Sequence, residues 1–178
     1  MLKLNFITFL LVPIFCFGQK DFSNREYWHR KILSDSSLTV VRQSLNEEFN
    51  EFNDITRIPK GLIKILETWK GSEISFANPN EDYNRTDVIN DLLPNRQLIS
   101  VYLSSNNAFV LYNHGGFGFH KHIIWCNFDD EEKIIDIWIC NYNSTIKDIC
   151  SLKTFLDNFT RIHKLSDGRF IRENYVCY

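Results

Sequence analysis

LISVYLSSNNAFVLYNHGGFGFHKHIIWCNFDDEEKIIDIWICN, residues 98–141, is the stretch that decides the fold of this 178-residue chain. Four segments in it have the alternating or continuously apolar pattern of strands: 98–103, 108–113, 119–128 and 134–141. Turn-forming residues separate them at Ser105–Asn107, Gly115–Gly116 and Asp129–Glu132. Because connections this short join antiparallel neighbours, the stretch predicts a four-strand meander.

Helices are predicted on both sides of this stretch, at 37–52, 59–70 and about 145–163. The second helix is bounded by Pro59 and Gly71, and the third opens with Thr145 and Asp148 spaced like a capping box. Two further strands are predicted, at 73–77 and 170–177. The predicted fold is therefore α+β, a single twisted antiparallel sheet with about three helices packed on one face.

The last hairpin of the meander predicts what each face of the sheet carries. A four-residue loop would pair Phe128 with Lys133, Cys126 with Ile135 and Ile124 with Ile137. One face would then be apolar throughout, with Ile124, Cys126, Phe128, Ile135, Ile137 and Ile139. The other face would be interrupted by Lys121 and Asp136, and in either register it is the better candidate for binding a partner. Its candidate binding residues are Phe119, Ile123, Trp125 and Trp138.

The first residues of the chain predict export. Lys3, an apolar run over 6–17 and the small Gly18 follow the order of a secretory signal peptide. The run is too short for a membrane span, which needs about 20 residues. We expect cleavage after Gly18, with lipid attachment at Cys16 as the alternative. Residues 19–178 would then form one globular domain, in the periplasm or outside the cell.

Four cysteines follow the predicted signal peptide. They are Cys126, Cys140, Cys150 and Cys177. An even number of cysteines in an exported chain predicts up to two disulfides. Cys140 and Cys150 are close enough in sequence for a local bridge, which would leave Cys126 for Cys177. The alternative is that some of them are buried free thiols.

Three of the five histidines lie within residues 112–122, YNHGGFGFHKH. His120 and His122 share one side of a strand, the spacing at which two imidazoles can bind a metal ion. The pair resembles part of the cupin metal motif, but no glutamate follows it over 123–128. His114 becomes a third ligand only if the Gly115–Gly116 turn folds it back beside His120. We therefore expect no metal or other cofactor, with these three histidines as the alternative site.

The composition and motifs favour binding over catalysis. The formal net charge of −2, without a basic stripe, argues against nucleic acid and anionic membrane surfaces as partners. A Gly-x-Ser-x-Gly nucleophile motif is missing from the sequence. The leading hypothesis is an exported, non-enzymatic module that binds another protein, such as an immunity or inhibitor protein of the bacterial envelope. The alternatives are a binder of small apolar ligands between sheet and helices, and a histidine-dependent metal enzyme or hydrolase.

Overall fold

The computed structural model of the protein describes residues 35–116, 118–142 and 145–158. In these ranges the chain forms one five-stranded sheet and three α-helices, which confirms the predicted α+β class. The elements are α1 (Asp35–Ser44), β1 (Asn50–Phe52), α2 (Lys60–Lys70), β2 (Arg96–Leu103), β3 (Asn107–His114), β4 (His120–Phe128), β5 (Ile134–Tyr142) and α3 (Ile149–Asn158), with a 3₁₀ turn at Ile55–Arg57. The predicted signal peptide 1–18 with Cys16, and the predicted strand 170–177, lie outside the described residues.

The strands of the sheet lie in chain order, and each pairs antiparallel with its neighbour. The four segments predicted as strands correspond to β2, β3, β4 and β5, within two residues of their predicted ends. Their connections are short, at 104–106, 115–119 and 129–133. Chain segments this short cannot cross over the sheet, so consecutive strands become neighbours.

The outer strand β1, which pairs with β2, lies in a segment that was predicted as helix. The predicted helix 37–52 ends at Ser44, and the chain then enters the sheet as β1. Three backbone hydrogen bonds of the i→i−3 type, 3.0–3.3 Å long, tighten the chain after α1 and stop the helix. The segment 73–77 forms one isolated parallel bridge, between Ala77 and Gln97. The spacing of apolar residues predicted a helix that was too long, because Phe49 and Phe52 continue the helical period.

The second predicted helix is confirmed as α2. Pro59 precedes its first residue, and Gly71 follows its last with a left-handed φ of 75°. The Gly71 N–H donates to the Glu67 carbonyl at 2.8 Å, which satisfies one of the free carbonyls of the final turn.

The third predicted helix begins later than expected, at Ile149. Asp148 caps it, but its partner is Ser151 and not Thr145. The Ser151 N–H donates to Asp148 Oδ1 at 2.7 Å, and the Asp148 N–H donates to Ser151 Oγ at 3.0 Å. This reciprocal pair is a capping box that starts at Asp148. The predicted end of this helix, 159–163, lies outside the described residues.

The β4–β5 register differs from the prediction by one residue at Phe128 and by two residues beyond an irregularity in the ladder. Phe128 pairs with Ile134, and after an irregularity Cys126 pairs with Ile137 and Ile124 with Ile139. Beyond the irregularity, a shift of two residues leaves the side chains on their predicted faces, because side chains alternate with a period of two. Ile134, at the irregular end, packs in the core with Ile124 and Cys126, on the face opposite to the predicted one. Ile135 was predicted to lie on the buried face, but it is 44% exposed.

Helices cover both faces of the sheet, so the prediction that they pack on one face is wrong. Face A, which carries Val110, Ile124 and Cys126, packs against α2. Face B, which carries Leu111, Ile123 and Trp125, packs against α1 and α3. The physical reason is that β3, β4 and β5 are apolar on both sides, so each side requires a covering layer.

The described cysteines are free thiols. Cys126 is buried on face A and Cys140 on face B, while Cys150 is exposed at the start of α3. The predicted Cys140–Cys150 bridge is therefore wrong, and Cys177 lies outside the described residues. Burial raises the pKa of both the Cys126 and Cys140 thiols. They are consequently protonated packing residues in this fold, as the free-thiol alternative proposed.

None of the helices in the described ranges combines the length and apolar character needed to cross a membrane.

Candidate metal centre

The predicted binding face lies mostly inside the protein. Ile123, Trp125 and Trp138 are at most 2% exposed, beneath α1 and α3. Phe119 alone is accessible, at 53% exposed. The prediction that these residues form an exposed aromatic face is therefore wrong, because the helices that cover face B occupy it.

The three histidines of the β3–β4 hairpin come together at one end of face A. His114, the last residue of β3, pairs directly with His120, the first residue of β4. His122 pairs with Tyr112 and lies on the same face. The ring centroids are 4.9 Å apart for His114 and His120, 4.6 Å for His120 and His122, and 5.5 Å for His114 and His122. The turn thus folds His114 back, which was the condition for a third ligand.

Glycines in the connection between β3 and β4 make this pairing possible. Gly116 and Gly118 have φ values of 89° and 82°, a region that residues with a Cβ rarely adopt. Gly115 lies against the backbone of Asn84, and a Cβ there would be 1.7 Å from the Asn84 carbonyl oxygen. The connection therefore turns sharply, and it packs closely against the backbone of the loop that precedes β2.

Asn84 organises the loop on which the hairpin rests. Its Nδ2 donates to the carbonyls of Asn90 and Leu93 at 3.0 and 2.9 Å, and its Oδ1 accepts from the Asn90 N–H at 2.9 Å. Asn95 continues the contact, because its carbonyl accepts from the Gly115 N–H at 2.9 Å. The side chain of Asn84 is buried and fully hydrogen-bonded. Asn84 therefore stabilises the loop against which the β3–β4 hairpin packs.

The hydrogen bonds of His120 define which of its nitrogens is available. Its Nδ1 lies 2.6 Å from the Gly118 carbonyl, so Nδ1 carries the proton and Nε2 has the lone pair. Metal-bound histidines are commonly oriented in this way, by donating the second ring N–H to a carbonyl. The sequence offered no nearby carboxylate for this role, and a backbone carbonyl supplies it instead.

Several imidazole nitrogens in the cluster are buried without a hydrogen bond. They are His114 Nδ1, His120 Nε2 and both ring nitrogens of His122. Buried polar atoms are nearly always satisfied in folded proteins. Four such atoms in one cluster are therefore without a partner among the described residues.

The local electrostatics keep the imidazoles of His114 and His122 neutral. Burial is the largest cause, and with the positive charge of Arg96 and the neighbouring histidines it lowers the pKa of His122 to about 2 and that of His114 to about 3. The lone pair of a neutral imidazole is the form that binds metals. Both side chains are therefore in the ligand form at every pH from mildly acidic upward.

The geometry fits a metal ion held by three imidazoles. One nitrogen from each of His114, His120 and His122 lies within 4.8 Å of the other two. Zinc binds histidine nitrogens at about 2.0–2.1 Å, which sets two nitrogens of a tetrahedral site about 3.4 Å apart, so the three rings would have to move closer together around one ion. Tyr112 stacks on His122 with centroids 4.8 Å apart and an interplanar angle of 10°, which holds that ring in place. The sequence-based expectation of no metal site rested on two ligands, and the fold supplies three.

A separate groove of about 1010 Å³ lies between α2 and the β4–β5 turn. Five isoleucines line it together with six charged residues, among them Lys60, Lys64 and Glu132. Charges of both signs make it a poor match for a purely apolar ligand. The histidine cluster is the more specific chemical feature.

Arg96 is the site residue that sequence reasoning missed. It begins β2 and pairs with His114, so both side chains lie on face A. Only 6% of Arg96 is exposed. Nothing in the local sequence marks it, because its proximity to the histidines depends on the β2–β3 register.

No known protein family, curated protein or solved structure shows significant similarity to this chain.

Proposed function

We propose that this protein binds a divalent transition-metal ion, zinc in the first instance, through His114, His120 and His122. The observation that carries the proposal is the convergence of three imidazoles to within 4.8 Å at their ligand atoms. Imidazole nitrogens are preferred ligands of zinc, and three protein ligands leave a fourth position open. This reverses the expectation drawn from the sequence.

The alternative role for the three histidines is structural packing. It would leave four ring nitrogens buried without hydrogen bonds, at a cost of about 1–3 kcal/mol for each. Coordination of one ion would use a nitrogen of every histidine in the cluster and remove most of this cost. The hydrogen bond from His120 to the Gly118 carbonyl also matches a ligand that is held in one tautomer. These two features favour metal binding over packing.

A metal enzyme is a narrower hypothesis than metal binding. Three ligands with an open position are typical of catalytic zinc. However, the cluster formed by the described residues contains no Asp or Glu to act as a general base. We therefore propose a metal-binding site with one open coordination position, and we do not assign a hydrolytic reaction to it.

Zinc calorimetry on the chelator-treated protein tests the proposal. We expect one zinc ion per chain with a dissociation constant below about 1 μM, equivalent to about −8 kcal/mol. His120→Ala should weaken binding by about 100-fold or more, equivalent to about 2.8 kcal/mol. Glu131→Ala, which removes a potential ligand on the β4–β5 turn at the other end of β4, is the matched control and should leave the affinity unchanged.

Circular dichroism of each variant confirms that the fold is retained. His122→Gln serves as a second variant if the alanine substitution lowers stability, because it keeps a polar side chain of similar reach. Zinc binding weaker than about 10 μM, or binding that His120→Ala leaves intact, would overturn the proposal.

The proposed location is the periplasm or the cell exterior. It is supported by the order of charged, apolar and small residues over 1–18. The intact mass of protein released through its own leader tests this, with Gln19 as the expected first residue. A lipid mass on Cys16 would contradict it.

Binding of another protein, as an immunity or inhibitor module, is the second candidate function. The observation that favours it is a set of exposed apolar side chains on the loop before β2 and at the start of β4: Val88, Ile89, Leu92 and Phe119. Ile89 lies beside Gly116, so the loop and the hairpin are neighbours. Exposed apolar groups that cluster in this way are typical of protein contact sites.

A photo-reactive side chain placed at Leu92 or Phe119 tests this second candidate in cells. A defined covalent adduct with one protein is expected at both positions. The control is the same group at Glu131, on the β4–β5 turn at the other end of the strand. Adducts that form equally at Glu131, or at none of the positions, would reject a contact site here.

A further inference from the structure

Arg96 is an enclosed charge beside the histidine cluster. It pairs across β2 and β3 with His114, which in turn pairs with His120 on β4. Side chains of directly paired residues project from the same face, so Arg96, His114 and His120 form one row across face A. The residue is 6% exposed, and its charge reaches both His114 and His122.

The guanidinium of Arg96 has no partner of its own in the part of the chain that the structure describes. It donates no hydrogen bond there and makes no ion pair. Arginine is rarely buried unless a carboxylate or another acceptor satisfies it.

The charge that a divalent ion would bring to this cluster favours an anion as a further ligand. Three neutral imidazoles do not compensate the two positive charges of a divalent ion, and Arg96 adds a third. Lys70 is also near enough for its charge to act on His114. The cluster contains no Asp or Glu among the described residues. A concentration of positive charge in a poorly hydrated site is strongly unfavourable unless a negative ligand joins it.

We propose that the metal ion held by His114, His120 and His122 takes an oxyanion of a second molecule, a carboxylate or a phosphate, as its fourth ligand, and that Arg96 binds the same oxyanion. This inference rests on the metal site proposed above. One oxygen of the group would bind the metal at about 2.0–2.2 Å. Another would accept from the guanidinium at about 2.7–2.9 Å, the geometry for which its planar fork is suited.

Tyr112 and His122 form the inner wall of this position. Their stacked rings lie in the row next to Arg96 and His114 on face A. This row lies next to the row of Arg96, His114 and His120, on the side toward the middle of the strands. Arg96 is therefore a residue that selects the charge of the ligand, and the histidines are the residues that hold the metal.

The experiment uses cobalt(II) in place of zinc, because its visible absorption reports the ligands around it. Cobalt is titrated into the chelator-treated protein, and then acetate or inorganic phosphate is added at constant ionic strength with perchlorate as the balancing salt. The expected result is a change in the cobalt spectrum that saturates with one or both anions. A response to acetate alone identifies a carboxylate ligand, and a response to phosphate alone identifies a phosphate ligand.

Arg96→Gln should weaken the anion response by at least about tenfold, equivalent to about 1.4 kcal/mol. Its cobalt affinity should be equal to or higher than that of the wild type, since a repelling positive charge is removed. A merely structural role for Arg96 would lower both affinities together. Arg96→Lys should restore part of the response, and Arg85→Gln, at an exposed arginine over the Tyr83 ring, is the matched control with no effect.

The outcomes separate the two proposals. Failure of the wild type to bind cobalt would overturn the metal site and this inference with it. Cobalt binding with no response to either anion, or with the same response in Arg96→Gln, would overturn the oxyanion inference alone. Loss of cobalt binding in a folded Arg96→Gln variant would also overturn it.

Discussion

The indole of Trp125 lies in face B beneath α1 and α3, and 1% of the residue is exposed. Phe119, six positions earlier in the chain, is 53% exposed. Both are large aromatic residues on one hairpin, and their chemistry does not explain the difference in exposure. The difference depends on whether a helix covers that position of the sheet.

Replacement of each aromatic residue by alanine measures this difference. Trp125→Ala should lower the free energy of unfolding by about 3–5 kcal/mol, because it leaves a cavity in a closed core. Phe119→Ala should change it by less than about 0.5 kcal/mol. Urea unfolding followed by circular dichroism gives both values. Equal losses in the two variants would contradict the burial of Trp125.

Tyr102 on β2 gives the stability an alkaline pH dependence. Burial, with the nearby charge of Glu51, raises the pKa of Tyr102 from 10.0 to about 12. Between these values the folded state keeps the phenolic proton and the unfolded state releases it. The free energy of unfolding therefore falls as the pH rises through this window.

Tyr102→Phe removes this titration and is the direct comparison. We expect the unfolding free energy of the wild type to decrease more steeply than that of the variant between pH 10 and 12. Chemical denaturation at a series of pH values measures both curves. Parallel curves would show that Tyr102 titrates alike in both states.

The β3–β4 hairpin is the element that assembles the candidate site. Its register places His114 opposite His120, and Gly115 lets the chain pass against Asn84 with no room for a side chain. The loop organised by Asn84 thus sets the position of one ligand. Metal binding depends on this packing as well as on the histidines themselves.

Gly115→Ala tests the dependence of the site on the hairpin. The added Cβ must displace backbone, so we expect a loss of about 1–3 kcal/mol in stability. Zinc affinity should fall by about tenfold or more, since His114 is the adjacent residue. Gly61→Ala is the matched control, because its Cβ would be 2.2 Å from the Glu132 carbonyl oxygen, by the β4–β5 turn at the other end of β4. It should lower stability while the zinc affinity stays constant.

At the scale of the whole molecule, the sheet separates two cores. Leu62, Leu66 and Trp69 of α2 close the core on face A, and residues of α1 and α3 close the core on face B. Arg42 joins the two helices of face B, because its guanidinium donates to the Leu156 carbonyl at 2.7 and 3.0 Å. Cys126 is buried in the core on face A and Cys140 in the core on face B, so the reactivity of each thiol measures the opening of its own core.

Thiol labelling of the native protein tests whether the two cores open together. Cys150 is exposed and should react at once. Cys126 and Cys140 should react slowly and at equal rates, because global unfolding exposes both. Mass spectrometry of the labelled peptides distinguishes the three sites. Faster reaction of Cys140 than of Cys126 would show that α1 and α3 detach from face B independently.

The sequence alone was sufficient for the strands β2 to β5, the helix α2 and the face on which most β4 and β5 side chains lie, with Ile134 and Ile135 as the exceptions. These features follow from local periodicity, from the residues that stop helices and form turns, and from the fact that a two-residue slip preserves the face. The end of α1 and the start of α3 were less predictable, because helical spacing continues past Ser44 and capping residues occur at several positions.

Only the tertiary structure decided which apolar surfaces are covered and which polar groups meet. Whether Trp125 and Trp138 are exposed depends on α1 and α3, which are distant from them in the chain. The candidate metal centre depends on pairings between separate strands, which set His114 opposite His120 and Arg96 beside His114. Periodicity determines the direction of a side chain along its own strand. Its neighbours across the sheet are set by the register and by the packing of remote segments, which a local pattern does not contain.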